Sequence, residues 1–250
     1  MLKNIAEPNH PFKKFGTGNL TTLRDAPLEN NVDLRQALIK FHDSYYSANV
    51  MKLVILGKES IQELAEMATA MFSAVENKNL HVQEFGLPFG NDTLGTLLCV
   101  KPIKDLKKLH FLFQIPQTQY KDYKIHPFGY IAHLIGHESV GSILSYLKVN
   151  GLASSLGTGM SNYGGRGFDF FNISIELTDL GLEHYEKVAL VVFEYIKMLK
   201  SVPVNREIYQ EAQKMNDISF RFVIYNLTCH SYTVGLKKNH RLLRMHAVWL

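Results

Sequence analysis

GFDFFNISIELTDLGLEH, residues 167–184, passes from one periodicity into another. Up to Leu177 the apolar and polar residues alternate (Phe171, Ile173, Ile175 and Leu177 against Asn172, Ser174 and Glu176), as in a strand with one face on a core. Thr178 then suits the N-cap of a helix whose apolar set is Leu182, Tyr185, Val188, Val192, Tyr195, Ile196 and Leu199. A strand that runs straight into an amphipathic helix is a unit of a sheet with helices packed on it.

Working outward, the same alternation of element types recurs. On the N-terminal side, His126 to Lys148 reads as one long helix carrying HLIGHESVGSILSYL, and Thr96–Pro102 and Leu109–Ile115 read as strands. On the C-terminal side a helix is expected after Pro203, a residue that suits a first turn. Further upstream, Leu34, Ala37, Leu38, Phe41 and Tyr45 fall at helical spacing behind a capping box of Asp33 and Gln36. MKLVIL (51–56) then reads as a buried strand, and Ser60 with Glu63 caps a second helix through Ile61, Leu64, Ala68, Met71 and Val75. The fold class implied is α+β, with helices on mostly antiparallel sheets.

Residues 76–93 (ENKNLHVQEFGLPFGNDT) lose the period and read as a linker, whereas PNHPFKKFGTGNLTTL (8–23) reads as an irregular loop. The organisation expected is therefore 1–78, a linker 79–93, a second domain 94–222 and a divergent tail 223–250. The tail shows no clean period and is not expected to pack on the body.

With 250 residues, 46% of them apolar and 20% charged, the chain is of a globular class with one or two domains. Of its 27 basic residues, Lys237, Lys238, Arg241 and Arg244 lie in the acid-free tail, so residues 1–222 balance 23 basic against 23 acidic side chains. A neutral body lacks the basic stripe of a nucleic-acid-binding surface. No apolar run approaches the ~20 residues of a membrane span. Two distant cysteines, Cys99 and Cys229, and an N-terminus without an apolar signal core suggest a reducing, cytoplasmic setting.

Chemistry-bearing patterns are sparse. His133 and His137 stand four apart, the spacing at which one helix face presents two imidazoles to a Zn²⁺. The carboxylate a metallopeptidase needs is missing: Leu134 and Gly136 occupy the places where either HExxH or HxxEH requires Glu, and Glu138 sits about 100° around the helix. The bland reading is one buried and one surface histidine. The glycines of LGTGMSNYGGRGF (156–168) do not have nucleotide-cradle spacing; they are either a flexible connection or a sheet edge at which another backbone approaches closely. No GxSxG elbow occurs, Asn226-Leu227-Thr228 is a chance sequon, and Tyr45 and Tyr46 read as core aromatics.

HPFKKFGTGN (10–19), LRQALIKFHDSYYSANVMKLVILGKES (34–60), VKPIKDLKKLHFLFQIP (100–116), HLIGHESVGSILSYLKVNGLASSLGTG (133–159) and GGRGFDFFNISIELTDLGLEH (164–184) together resemble the insulin-degrading enzyme family of insulysin, pitrilysin and nardilysin. These are inverted zinc metallopeptidases. The resemblance covers about nine-tenths of the chain and fades after FRF (220–222). It implies the C-terminal half of a first peptidase-like domain at 1–78 and most of a second, non-catalytic domain at 94–222, with the HxxEH helix and the distant Glu ligand upstream.

No catalytic or metal residue and no cofactor is then expected in this segment, Zn belonging to the full-length family. The resemblance also implies an exosite for the amino-terminal end of a peptide, formed by Gly136, His137, Gly141, Leu156, Gly157, Thr158, Gly159 and Met160. In that region SLGTGMSNYGGRGF (155–168) is one residue longer than the family pattern. The partners implied are peptide substrates, with neither nucleic acid nor membrane, and a homo-oligomer is compatible through the parent enzyme. Two other readings stand beside the peptidase segment: a non-enzymatic peptide-binding or partner subunit, and a truncated gene product with no independent activity.

Overall fold

The computed structural model describes residues 2–14, 16–116, 125, 127–161, 164–222, 233–238 and 241–248. In chain order these form α1 (Ala26–Glu29), α2 (Leu34–Tyr45), β1 (Lys52–Ile55), α3 (Ile61–Phe72), β2 (Lys108–Pro116), α4 (Pro127–Ile135) and α5 (Ile143–Val149). There follow β3 (Ala153–Met160), β4 (Phe168–Leu177), α6 (Asp179–Glu183), α7 (Tyr185–Ser201), α8 (Arg206–Phe222), β5 (Thr233–Lys238) and β6 (Arg241–Val248). The fold is α+β, as expected: the strands make two antiparallel sheets, β2-β4-β3 and β1-β6-β5. The chain divides into two compact units, 1–15 with 84–222 and 16–83 with 223–250.

In the larger unit β4 is the central strand, and its alternation places a core on each side of the sheet. Phe171, Ile173, Ile175 and Leu177 pack with Ile135, Ile143, Leu144, Leu147, Val188 and Val192 from α4, α5 and α7. Phe168 and Phe170 turn to the opposite face, against Ala6, Phe12 and Phe89. Side chains hold that second layer to the strands. Gln114 on β2 accepts from Phe89 N (2.9 Å) and donates to Phe89 O (2.7 Å), and His10 bridges to Gly86 O at 2.9 Å.

The smaller unit is built on local signals. Asp33 accepts from Gln36 N to start α2, and Ser60 with Glu63 forms a complete capping box at α3. Ser47, fully buried, donates to Asn49 Oδ1 and accepts from Lys78 N (2.7 Å), while Asn49 Nδ2 donates to Leu80 O (2.8 Å). These bonds tie the segment after α2 to the chain after α3.

Several expectations are corrected. Thr96–Pro102 is not a strand. The single helix expected over 126–148 is two helices: Gly141 takes φ +88°, and Ser142 caps α5 by accepting from Ser145 N at 3.1 Å. Gly157 and Gly159 lie inside β3 rather than in a connecting loop, because β4 supplies the ladder their sequence does not advertise. The helix after Pro203 starts only at Arg206, with Asn205 Oδ1 accepting from Glu207 N. β1 is largely exposed rather than buried, as is Tyr45. The tail does pair with the body: β6 runs antiparallel to β1 from Lys52↔Val248 to Ile55↔Met245. Cys229 and the Asn226 sequon lie outside the described residues.

Candidate functional site

The long helix predicted by spacing breaks at the place where chemistry collects. Pro127 opens α4, and Gly129, Ala132, His133 and Gly136 follow at three- and four-residue intervals, so small residues share a face with His133. That face looks onto β3, and between them lies an open cleft of about 540 Å³ lined by Gly129, Ala132, His133, Gly136, His137, Glu138, Leu156 and Thr158. Gly136 is needed at the closest approach: a Cβ there would sit 2.8 Å from Thr158 Cγ2 and 2.9 Å from Ala132 O.

From β3 the cleft receives Leu156 and Thr158, which point to the helical side of the sheet. The buried Thr158 Oγ1 has no hydrogen-bond partner among the described residues. Ser161 N donates to Phe170 O at 2.8 Å, which marks that pair as a hydrogen-bonded one. By antiparallel alternation Gly159 and Gly157 direct their main-chain groups at β4, whereas those of Met160, Thr158 and Leu156 face the outer edge. No strand pairs with that edge among the described residues. On the other face of the sheet a Cβ at Gly157 or Gly159 would meet nothing within 4 Å, and Gly159 adopts φ +154°.

The helix end beside the cleft is anchored from below. Tyr195 on α7 donates to Leu134 O at 3.2 Å, and burial pushes its phenol above the usual tyrosine range, so it remains a donor. Beyond α4, Ser139 N donates to His137 Nδ1 at 3.1 Å. The His133 and His137 rings stand edge to face with centroids 5.6 Å apart, and both residues are exposed rather than one being buried. The Glu138 carboxylate is 4.0 Å from Lys148 Nζ, on the exposed rim.

Of the residues the sequence nominated, Gly136, His137, Leu156 and Thr158 line the cleft; Gly157, Gly159 and Met160 continue β3 beside it; Gly141 lies in the turn before α5. Gly129 and Ala132 also line the cleft without having been singled out, and His133 and Glu138, weighed above only for metal chemistry, line it as well. The small-residue spacing along α4 was the signal for Gly129 and Ala132, but it becomes a cleft only when β3 lies opposite that face.

Zinc does not fit here. No three His, Cys, Asp or Glu converge on a metal position among the described residues. The Ser139 N–H takes the lone pair of His137 Nδ1, which puts the neutral ring's proton on Nε2, the nitrogen that would have to ligate.

Residues 33–216 match the family described as the peptidase M16 inactive domain. The chain is 44% identical over 221 residues to the insulin-degrading enzyme of Homo sapiens, covering 88% of this chain and 22% of that protein. It is 38% identical over 221 residues to the A-factor-processing enzyme of Saccharomyces cerevisiae, covering 88% of this chain and 21% of that one. The crystal structure of pitrilysin superposes with a TM-score of 0.75 at 30% identity, covering 89% of this chain and 24% of that chain. The chain thus spans about a fifth of the length of the relatives it matches. With this fold and this homology, the chain belongs to the insulysin and pitrilysin family of M16 peptidases, within which it corresponds to the inactive domain.

Proposed function

We propose that this chain is the substrate-anchoring segment of an insulysin-like zinc endopeptidase, receiving an extended peptide along β3 while the metal chemistry is supplied outside it. The observation that carries the reading is the outer edge of β3 beside the cleft, unpaired among the described residues, with main-chain groups of Leu156, Thr158 and Met160 turned outward toward an added strand. Glycines at 157 and 159 leave the flank of that edge smooth. Relatives named for degrading insulin and for processing A-factor support a peptide as the occupant. In this reading 1–78 is part of a first peptidase-like domain, 79–93 a linker, 94–222 the second domain and 223–250 a divergent tail. The reading places the parent enzyme in the cytoplasm, a setting that the exposed free thiol of Cys99 suits, and is compatible with a homo-oligomer. No helix among the described residues is long and apolar enough to cross a membrane.

The test uses a fluorescein-labelled unstructured peptide of about ten residues, a strand's length, titrated into the purified chain by fluorescence anisotropy. Saturable binding is expected, weakened about tenfold by N-methylation at alternate peptide positions, because each lost main-chain bond contributes about 0.5–1.5 kcal/mol. The double substitution Gly157→Val with Gly159→Val should weaken it too, and Gly157 alone is open enough for the change to leave the fold intact. Equal affinity for the N-methylated peptide would remove the strand-addition reading. The isolated chain is expected not to cleave the peptide, and zinc-dependent turnover abolished by a chelator would contradict the assignment.

A further inference from the structure

Asn150-Gly151 is the one Asn-Gly pair in the 250 residues, and it forms the end of α5. In such a pair the glycine main-chain N can attack the asparagine side-chain carbon, since no Cβ on the glycine hinders the approach. The structure holds this pair out of that geometry. Gly151 N donates to Lys148 O at 3.0 Å and Leu152 N to Leu147 O at 2.8 Å. With Gly151 at φ +66° and the side chains of Leu147 and Leu152 buried, this is a Schellman motif. Asn150 Nδ2 donates to Tyr146 O at 2.8 Å, so the side chain is turned back along the helix. The main chain adds its own restraint: at ψ 4° the N of Asn150 eclipses Gly151 N, whereas ring closure needs the Asn150 Cβ in that eclipsed place. Thr178 Oγ1 donates to Gly151 O at 2.6 Å and fixes the far side of the pair. Asn150 itself is exposed to water.

We infer that Asn150 is a self-modification site, deamidated through a cyclic imide, and that the fold sets its rate by keeping the end of α5 closed. Gly151 N gives up its proton and bonds to Asn150 Cγ; the Cγ–Nδ2 bond breaks and Nδ2 leaves as ammonia. Water then cleaves either C–N bond of the imide, leaving aspartate by one route and isoaspartate by the other, with nothing oxidised or reduced. The hydrogen bonds of the helix end must open first, and opening them draws Leu152, 2% exposed, out of its core. The product cannot remake the cap. A carboxylate has no N–H for Tyr146 O, and it adds negative charge at the helix end where unpaired carbonyls already carry it. Isoaspartate also lengthens the main chain by a carbon, just before Leu152 and the first residue of β3, Ala153. The modified chain therefore has a weakened junction between α5 and β3, whatever binds along that strand.

The test incubates the purified full chain at mildly alkaline pH, folded in buffer and unfolded in urea. Asn150 is followed by peptide mass mapping, with isoaspartyl methyltransferase labelling for the isoaspartate product. Conversion is expected in both, at least about tenfold slower in the folded chain, where it waits on local opening. Thr178→Ala, which releases Gly151 O, should speed conversion of the folded chain several-fold and leave the unfolded rate as it was. Asn150→Gln, whose longer side chain cannot close the same ring, should stop conversion over the same time. Asn150→Asp, which carries the product carboxylate, should lower the denaturation midpoint. No conversion at Asn150 in urea overturns the site, and persisting conversion in Asn150→Gln overturns the cyclic route. Equal rates in buffer and urea overturn control by the fold, whether or not Thr178→Ala folds. An unchanged midpoint for Asn150→Asp overturns the weakened junction.

Discussion

The sheet β2-β4-β3 carries a core on both faces, whereas the unit of α2, α3 and β1 has well-formed helices and contributes no buried apolar cluster among the described residues. Leu147, Ile173 and Val188 are fully buried in the first; Leu38 is 60% exposed and Ile61 88% exposed in the second. Both regions show amphipathic spacing in the sequence, and both have good N-caps. The difference teaches that caps and periodicity start and stop a helix, while burial depends on what else the chain brings against its apolar stripe.

The largest expected effect is the one that sets the two regions furthest apart. Ile173→Ala or Leu147→Ala removes packed volume from a closed core and should cost about 2–5 kcal/mol. Leu38→Ala should change stability by no more than about 0.5 kcal/mol, since its side chain is largely in water. Chemical denaturation of both variants checks the contrast, and an equal loss from Leu38→Ala would mean that its helix has a packed face after all.

Next in size is backbone packing at α6. A Cβ on Gly181 would lie 1.8 Å from Leu152 O, a clash with main chain that no rotamer relieves. Gly181→Ala should therefore cost about 1–3 kcal/mol by overpacking, with Gly157→Ala as the tolerated control. Equal melting temperatures for the two variants would show that α6 and the β3 entry are not as closely packed as described.

A smaller effect belongs to the other unit. Ser60→Ala deletes the Ser60 Oγ half of the α3 capping box while the Ser60 N–H keeps its bond to Glu63, and should cost about 1 kcal/mol, read as lost helicity by circular dichroism. No change in the far-ultraviolet signal would mean that α3 is held by contacts rather than by its cap.

The smallest effects are two carboxylates with opposite responses to pH. Burial raises the Asp169 carboxyl above the usual range, against a bond from Phe170 N that lowers it. The folded state therefore keeps its proton to higher pH than the unfolded chain. Stability is full below the ordinary aspartate value and falls as pH rises from there through the raised folded value. Glu63 is held low, first by the bond from Ser60 N and then by that from Ser60 Oγ. Its contribution is present above the ordinary glutamate value and disappears as pH falls through the depressed folded one. Asp169→Asn and Glu63→Gln should each flatten its own slope in pH-dependent denaturation, and slopes of the same sign would contradict the assignment.

Much of this was legible in the residues themselves. The alternation from Phe168 to Leu177, the Thr178 cap and the Ser60–Glu63 box are local, because each depends on side chains within a turn or a pleat of one another. The same locality explains the misreadings. Thr96–Pro102 has strand-like residues but no partner strand among the described residues, whereas Gly157 and Gly159 lack strand propensity and are drawn into β3 by the β4 ladder. Likewise the aperiodic, linker-like look of 79–93 hid Phe89, whose burial is arranged by Gln114 from β2, 25 residues away.

Sequence alone was thus enough for the α+β class, the helix starts and the absence of a catalytic Glu beside His133 and His137, since these follow from neighbours along the chain. The cleft, the outward-facing edge of β3 and the exposed stripe of α2 were decided by the tertiary structure. Each is a relation between groups far apart in sequence, and the free energy that sets it, burial and hydrogen-bond satisfaction, exists only once the chain has closed on itself.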